Sequence, residues 1–224
     1  RRHTRSDRDW SSDVCSSDLT LKTSYRFSLE KADRVAGRSA HVVSVQPLNA
    51  DRYAYRLWID EEFKLLLKSV ILDRSGQPLE QVQFTAIAVL DDVPEHLLQP
   101  EITGSGFTWR TDDENEAPSV ADAQQLNWDV NWLPVGFTMK ENKVQSMVTS
   151  DMPVNQLVYS DGLAMVSVFV EKLMPDASPL QGYSARGAVN AFTRVSDNHQ
   201  ITVVGELPLP TVRQIATAVF RTKH

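Results

Sequence analysis

Thiol chemistry is almost absent from this chain: among its 224 residues the single cysteine is Cys15. One thiol forms no internal disulfide and builds no Cys-ligated metal site. Histidine is also scarce, and His3, His41, His96, His199 and His224 include no pair at the i, i+4 spacing of a helical zinc motif. The nine glycines form no phosphate-cradling loop and no Gly-x-Ser-x-Gly nucleophile elbow. No lysine- or arginine-rich run occurs and the net charge is −6, which disfavours nucleic acid and anionic membrane surfaces as partners. No stretch approaches the ~20 apolar residues of a membrane-spanning helix. No enzymatic activity, cofactor or metal is expected from this inventory.

The first nineteen residues stand apart. Residues 9–19 read as the translation of a common sequencing-library adapter, and Arg1-Arg2-His3-Thr4-Arg5 as its upstream part in the same frame. Residues 1–19 are therefore set aside as an adapter-derived, disordered segment. Cys15 goes with them, and so does Trp10. Their charges cancel, so the remainder is as acidic as the whole. What is left suits one large domain or two small ones. The authentic N-terminus is expected to be missing, and with it a signal peptide.

From residue 20 to about 90 the pattern is an antiparallel meander. Residues 38–45 form a strand candidate, followed by a turn at Pro47-Leu48-Asn49-Ala50-Asp51. Residues 53–60 alternate, with Tyr53, Tyr55, Leu57 and Ile59 on one face and Trp58 on the other. Residues 65–72 follow, then the hairpin turn Asp73-Arg74-Ser75-Gly76 and a strand over 81–90 with Val82, Phe84, Ala86 and Ala88 facing together. Apolar residues on both faces mean the sheet needs cover on both sides. Residues 94–100 have room for one short helical turn, and 101–124 read as an acidic, solvated linker.

A second β-rich block occupies 125–224. Strands are expected at 136–148, 154–159, 163–172, 185–194 and 200–206, with a hairpin turn at Ser160-Asp161-Gly162. A helix is expected over 210–220, capped by Thr211 and Gln214 at capping-box spacing, with Val212, Ile215, Ala216 and Val219 on its buried face.

Two side-chain groups invite a functional reading. Trp128, Trp132 and Phe137 cluster at the start of the second block. Core packing is their first reading; anchors for a bound peptide, beside strand edges open to β-augmentation, are the second. Leu65, Leu66, Leu67, Val70 and Ile71 read first as core, and as a lipid-pocket lining if the sheet curls around a cavity. Ser160 and Asp161 with a distant histidine make at best a weak hydrolase triad, because Ser160 sits in a hairpin turn.

Several short blocks, in order, carry a family resemblance. In the first half they are Asp33-Arg34-Val35-Ala36-Gly37-Arg38, Arg52-Tyr53-Ala54-Tyr55 with Leu57-Trp58-Ile59-Asp60, and Leu72-Asp73-Arg74-Ser75-Gly76 with Leu79-Glu80-Gln81. In the second they are Trp132-Leu133-Pro134-Val135-Gly136-Phe137, Tyr159-Ser160-Asp161-Gly162 and Val204-Gly205-Glu206-Leu207-Pro208. Together they resemble the RseB/MucB family, periplasmic negative regulators of the sigma-E envelope stress response. The resemblance implies an α+β, β-rich fold: part of a LolA/LolB-like curled antiparallel sheet over residues 20–100, then a small antiparallel-sheet domain with a C-terminal helix over 125–224.

It further implies binding of the periplasmic region of an anti-sigma factor (RseA or MucA), which shields that factor from site-1 proteolysis. Relief by lipid or lipopolysaccharide, homodimer formation and no nucleic-acid partner belong to the same expectation. Trp132, Phe137, Tyr159 and Asp161 are carried over as members of the partner-binding domain, and Leu65, Leu67, Val70 and Phe84 as lining of a lipid pocket. A lipid or lipoprotein carrier of the LolA/LolB type is the alternative, and a deep apolar cavity in the first domain would favour it.

Overall fold

A computed structural model describes residues 21–98, 128–147, 150–174 and 178–222. Residues 21–24 are helical rather than extended. Six strands then build the first antiparallel sheet: β1 (Tyr25–Leu29), β2 (Asp33–Val35), β3 (Arg38–Pro47), β4 (Ala54–Asp60), β5 (Leu66–Leu72) and β6 (Pro78–Gln83). Their order is β1-β3-β4-β5-β6, with β2 also lying along β3.

Register explains why this sheet has two cores. Val42 faces Trp58 and Arg56 faces Val70, while Val45 faces Tyr55 and Tyr55 faces Ile71. Because side chains alternate, Val35, Ala40, Val42, Trp58, Leu67 and Val70 gather in one cluster. Tyr25, Val45, Tyr55 and Ile71 gather in another, where Tyr53 and Leu57 join them. The expected two-sided sheet is present. Turn chemistry agrees as well: Asp73 Oδ1 accepts from the amides of Ser75 and Gln77, and Gly76 takes φ +80°.

One strand is shorter than expected. The 81–90 pattern yields only Pro78–Gln83. Gln83 pairs with Lys68, and the amide of Phe84 donates to the Leu67 carbonyl at 3.0 Å. Since β5 begins at Leu66, later residues have no backbone to pair with, and Val82 and Phe84 end on an exposed margin. Glu95–Leu97 makes the short helical turn. The acidic stretch 101–124 lies outside the described residues.

The second sheet contains β8 (Thr138–Met147), β9 (Ser150–Ser160), β10 (Met165–Lys172), β11 (Gly182–Arg186), β12 (Val189–Ser196) and β13 (His199–Gly205), in the order β11-β12-β13-β10-β9-β8. Two three-strand meanders thus meet where β10 pairs with β13. Leu157, Val168 and Val203 align across that seam, as do Val170 and Ile201. Helix α1 (Leu209–Ala218) lies on this face with Thr211, Val212, Ile215 and Ala216 buried. Trp128, Phe137 and Val219 complete the core. A two-stranded ribbon of β7 (Trp128–Val130) and β14 (Val219–Arg221) closes the domain.

Three expectations are corrected here. The single strand at 185–194 is a hairpin, split by Gly187 (φ +59°) and Ala188. No capping box forms, because α1 already starts at Leu209 after Pro208; Thr211 lies inside the helix with its side chain in the core. The helix also stops at Ala218. Its terminal carbonyls are taken by Arg194, whose Nε donates to Ala216 at 2.7 Å, and by the Asn131 amide on Ala218 at 3.1 Å. Those capping donors satisfy the last turn and free the chain to turn extended.

Candidate functional site

Three of the blocks, those holding Arg52, Val135–Phe137 and Asp161, converge in space where the Tyr55 side of the first sheet meets the loops of the second domain, while Asp33–Arg38 lies apart in the Trp58 cluster. Each loop is shaped by its own local chemistry. After β3 the chain turns at Asn49, whose side-chain oxygen accepts from the Asp51 amide at 3.2 Å. That turn places Arg52 pointing inward. In the second domain Pro134-Val135-Gly136-Phe137 is a type II turn: the Phe137 amide donates to the Pro134 carbonyl at 3.1 Å and Gly136 takes φ +92°. Its geometry aims the Val135 carbonyl at the first domain. The β9–β10 turn is held by Ser160, whose Oγ donates to the Ala164 carbonyl at 2.9 Å and accepts from the Gly162 amide at 3.0 Å. Gly162 (φ +101°) lets the turn close.

Asp161 is what this last turn presents. Its Oδ1 accepts from the amides of Leu163 and Ala164 at 3.0 and 2.9 Å. Its Oδ2 accepts from Arg52 Nε at 2.6 Å and from the Tyr25 hydroxyl at 3.0 Å. Both charged side chains are withdrawn from water, 0% exposed for Arg52 and 1% for Asp161. Another Arg52 nitrogen donates to the Val135 carbonyl, which also accepts from Ser24 Oγ at 3.1 Å. The guanidinium lies 5.1 Å from the Phe137 ring centre and 5.6 Å from that of Tyr25, within cation–π range.

A neutral tie lies nearby. Asn190 Nδ2 donates to the Tyr53 hydroxyl at 2.9 Å and to the Leu207 carbonyl at 2.8 Å. Ala188, fully buried, packs with Tyr25, Tyr55 and Ile71, and Leu163 joins them. Electrostatics follow burial. The Tyr25 phenol is pushed above its ordinary value by desolvation and then by the Asp161 charge. Tyr55 is raised by desolvation, then by Glu206 and Asp161. Burial also raises the Glu206 carboxyl, with Glu80 adding to it.

Sequence-derived candidates fall in different places. Phe137, Tyr159 and Asp161 are all buried. Tyr159 packs in the second core and reaches Asp129 Oδ1 at 3.4 Å, and Trp132 packs half-buried against the same core. Phe137 and Asp161 meet at the junction; Trp132 and Tyr159 do not. Arg52, Tyr25 and Asn190 were not singled out. A usable signal existed for Arg52, the only guanidinium inside the Tyr-rich block Arg52-Tyr53-Ala54-Tyr55, since a cation between buried aromatics needs an anion.

Of the lipid-pocket residues, Leu67 and Phe84 border one cavity of about 220 Å³ with Leu66, Lys68, Ser69, Val82 and Gln83. Leu65 is exposed and Val70 sits in the Trp58 cluster. That volume is below the ~300–1,000 Å³ of ordinary ligand sites. The triad is not assembled either: Ser160 is committed to its turn and Asp161 to Arg52. His199 Nδ1 lies 2.7 Å from the Asp197 carbonyl with its ring 5.0 Å from that of Trp128. Among the described residues no group of three or more His, Cys, Asp or Glu is arranged to hold a metal.

Known proteins resemble this chain in both domains. The MucB/RseB N-terminal domain matches residues 2–102 and the MucB/RseB C-terminal domain matches residues 122–220. The sigma-E factor regulatory protein RseB of Escherichia coli K12 is 32% identical over 204 residues, covering 88% of this chain and 59% of that protein. The sigma factor AlgU regulatory protein MucB of Pseudomonas aeruginosa PAO1 is 34% identical over 209 residues, covering 89% and 61%. The chain thus spans about six-tenths of the length of the curated relatives it matches. The crystal structure of MucB in complex with MucA(peri) superposes with a TM-score of 0.73 at 30% identity, covering 95% of this chain and 73% of that one. Neither matched domain makes up half of the chain, so a superposition of that extent takes in both domains in one frame. With both domain matches in order and a MucB structure 30% identical and covered to 73%, the chain belongs to the MucB/RseB family.

Proposed function

We propose that this protein is a periplasmic negative regulator of the sigma-E envelope stress response. It binds the periplasmic region of an anti-sigma factor of the RseA/MucA kind and shields that region from site-1 proteolysis. The observation that carries the reading is the two-domain likeness to MucB bound to MucA(peri), obtained in a single frame. Relatives named for sigma-E and AlgU regulation support it. A binding role also suits a site whose polar groups are consumed in holding domains together. Lipid or lipopolysaccharide relieves the binding in this reading, and Trp132, Phe137, Tyr159 and Asp161 shape the partner-binding domain from behind its surface.

Calorimetric titration of the whole chain with the periplasmic region of the cognate anti-sigma factor tests the proposal. Saturable binding near one-to-one, with slowed site-1 cleavage of the bound factor, is expected. Absence of both sinks it. A carrier of the LolA/LolB type would instead take up lipid stoichiometrically without any response to the anti-sigma segment.

A further inference from the structure

Two domains joined by a linker move relative to one another unless something prevents it. Here the contact is not merely apolar. Four donors converge on the Asp161 carboxylate: the Tyr25 hydroxyl, Arg52 Nε and the amides of Leu163 and Ala164. Arg52 in turn spans from Asp161 to the Val135 carbonyl, with its guanidinium carbon over the rings of Tyr25 and Phe137. Tyr25 and Arg52 belong to the first domain; Asp161, Val135 and Phe137 belong to the second. A desolvated ion pair contributes little net stability compared with apolar filling, but its geometry is exacting, because any shift strands a charge away from water. What such a cluster confers is one pose out of many.

We propose that Arg52, Asp161 and Tyr25 are positioning residues that lock the two domains into the single pose able to receive the anti-sigma segment. This rests on the binding reading above. It is supported by partner-bound MucB, which superposes on both domains of this chain at once. Partner affinity is then tied to the fraction of molecules in the locked pose. If that fraction falls to about a tenth, apparent affinity falls about tenfold, without loss of any contact to the partner.

The experiment uses the full chain with Cys15→Ser and spin labels on Arg74→Cys and Lys140→Cys, one exposed site in each domain. Asp161→Asn and Tyr25→Phe are compared with Arg56→Gln, which removes only an exposed pair with Glu30. Expected are a narrow interdomain distance distribution in the parent and Arg56→Gln, broadening in Asp161→Asn, and intermediate broadening in Tyr25→Phe. Affinity for the periplasmic region of the cognate anti-sigma factor should fall in the same order, about tenfold for Asp161→Asn, while circular dichroism shows both domains folded. Should Asp161→Asn fail to fold, Tyr25→Phe, which loses one hydroxyl, carries the comparison. Undisturbed distances in the variants overturn the lock. Broadened distances with unchanged affinity overturn its role in binding and leave the binding reading standing. A parent that binds no anti-sigma segment overturns that reading and the binding role with it, while the distances still judge the lock.

Discussion

Gly205 is the position where a single methyl group should do most harm. It lies on β13, aligned with Val166 on one side and Asn190 on the other. A Cβ there would sit 2.6 Å from the Met165 carbonyl oxygen and 3.1 Å from Val166 Cα. Both obstacles are backbone in the central pair of strands, so no side-chain rotation relieves them. Small-to-large changes in packed interiors cost about 1–3 kcal/mol, and a backbone obstacle places Gly205→Ala near the top, about 3 kcal/mol. For a domain of this size, that shifts the melting temperature by roughly 10–20 °C. Gly76→Ala is the control: unlike Gly205 it takes a positive φ, +80°, and nothing lies within 4 Å of its would-be Cβ. Its cost is conformational only, about 1–2 kcal/mol. Scanning calorimetry on both variants separates the two causes. If Gly205→Ala melts within a degree or two of the parent, or loses less than Gly76→Ala, the close-approach argument is wrong.

Asn190→Ala leaves the Leu207 carbonyl and the Tyr53 hydroxyl without their donor, so urea unfolding should show a loss of about 1–3 kcal/mol; an unchanged midpoint refutes this. Asp60 is held at a pKa of about 2, first by the Arg38 hydrogen bond and then by the Phe63 amide. A depressed carboxyl stabilises above its unfolded value and loses that contribution as pH falls from about 4 through 2, so Asp60→Asn should flatten this part of the stability curve, and an unaltered slope would count against the pair. Glu206 is raised by burial and then by Glu80. The sign is opposite: its contribution is full at acid pH and lost as pH rises through the folded value. Glu206→Gln should therefore be less sensitive to pH above the ordinary carboxylate range, and titration of melting temperature against pH would expose an error.

Local patterns were legible in the sequence where local physics decides. The β4 face carrying Tyr55 and Leu57, the Asp73–Gly76 turn, the Ser160–Gly162 turn and the buried stripe of α1 follow from alternation, turn residues and helical period. Each miss has a physical cause. The strand over 81–90 needed the start of β5 to be known, because its alternation continues past the last available partner. The hairpin at Gly187 was masked because β11 and β12 read as one apolar-tolerant run. The turn is a two-residue one, with Gly187 at φ +59° between the paired Arg186 and Val189. The capping box failed because Pro208 and Pro210 favour an earlier helix start than Thr211 could cap.

The site was legible as a set of words but not as a sentence. Asp161 and Phe137 were singled out, yet nothing local distinguishes a carboxylate that will face water from one that will be sealed against an arginine 109 positions earlier. Turn chemistry explains Asp161 completely at short range, since its Oδ1 serves the β9–β10 turn alone. Only Oδ2, facing the other domain, reveals the second duty. The same division applies to Val135, whose turn is local and whose carbonyl serves Arg52. Residues that satisfy a turn with one atom and a distant domain with another look ordinary in a linear reading. Their ordering into blocks that resemble the MucB/RseB family pointed to a common duty, and in this chain the buried Arg52–Asp161 pair joins three of those blocks across the two domains.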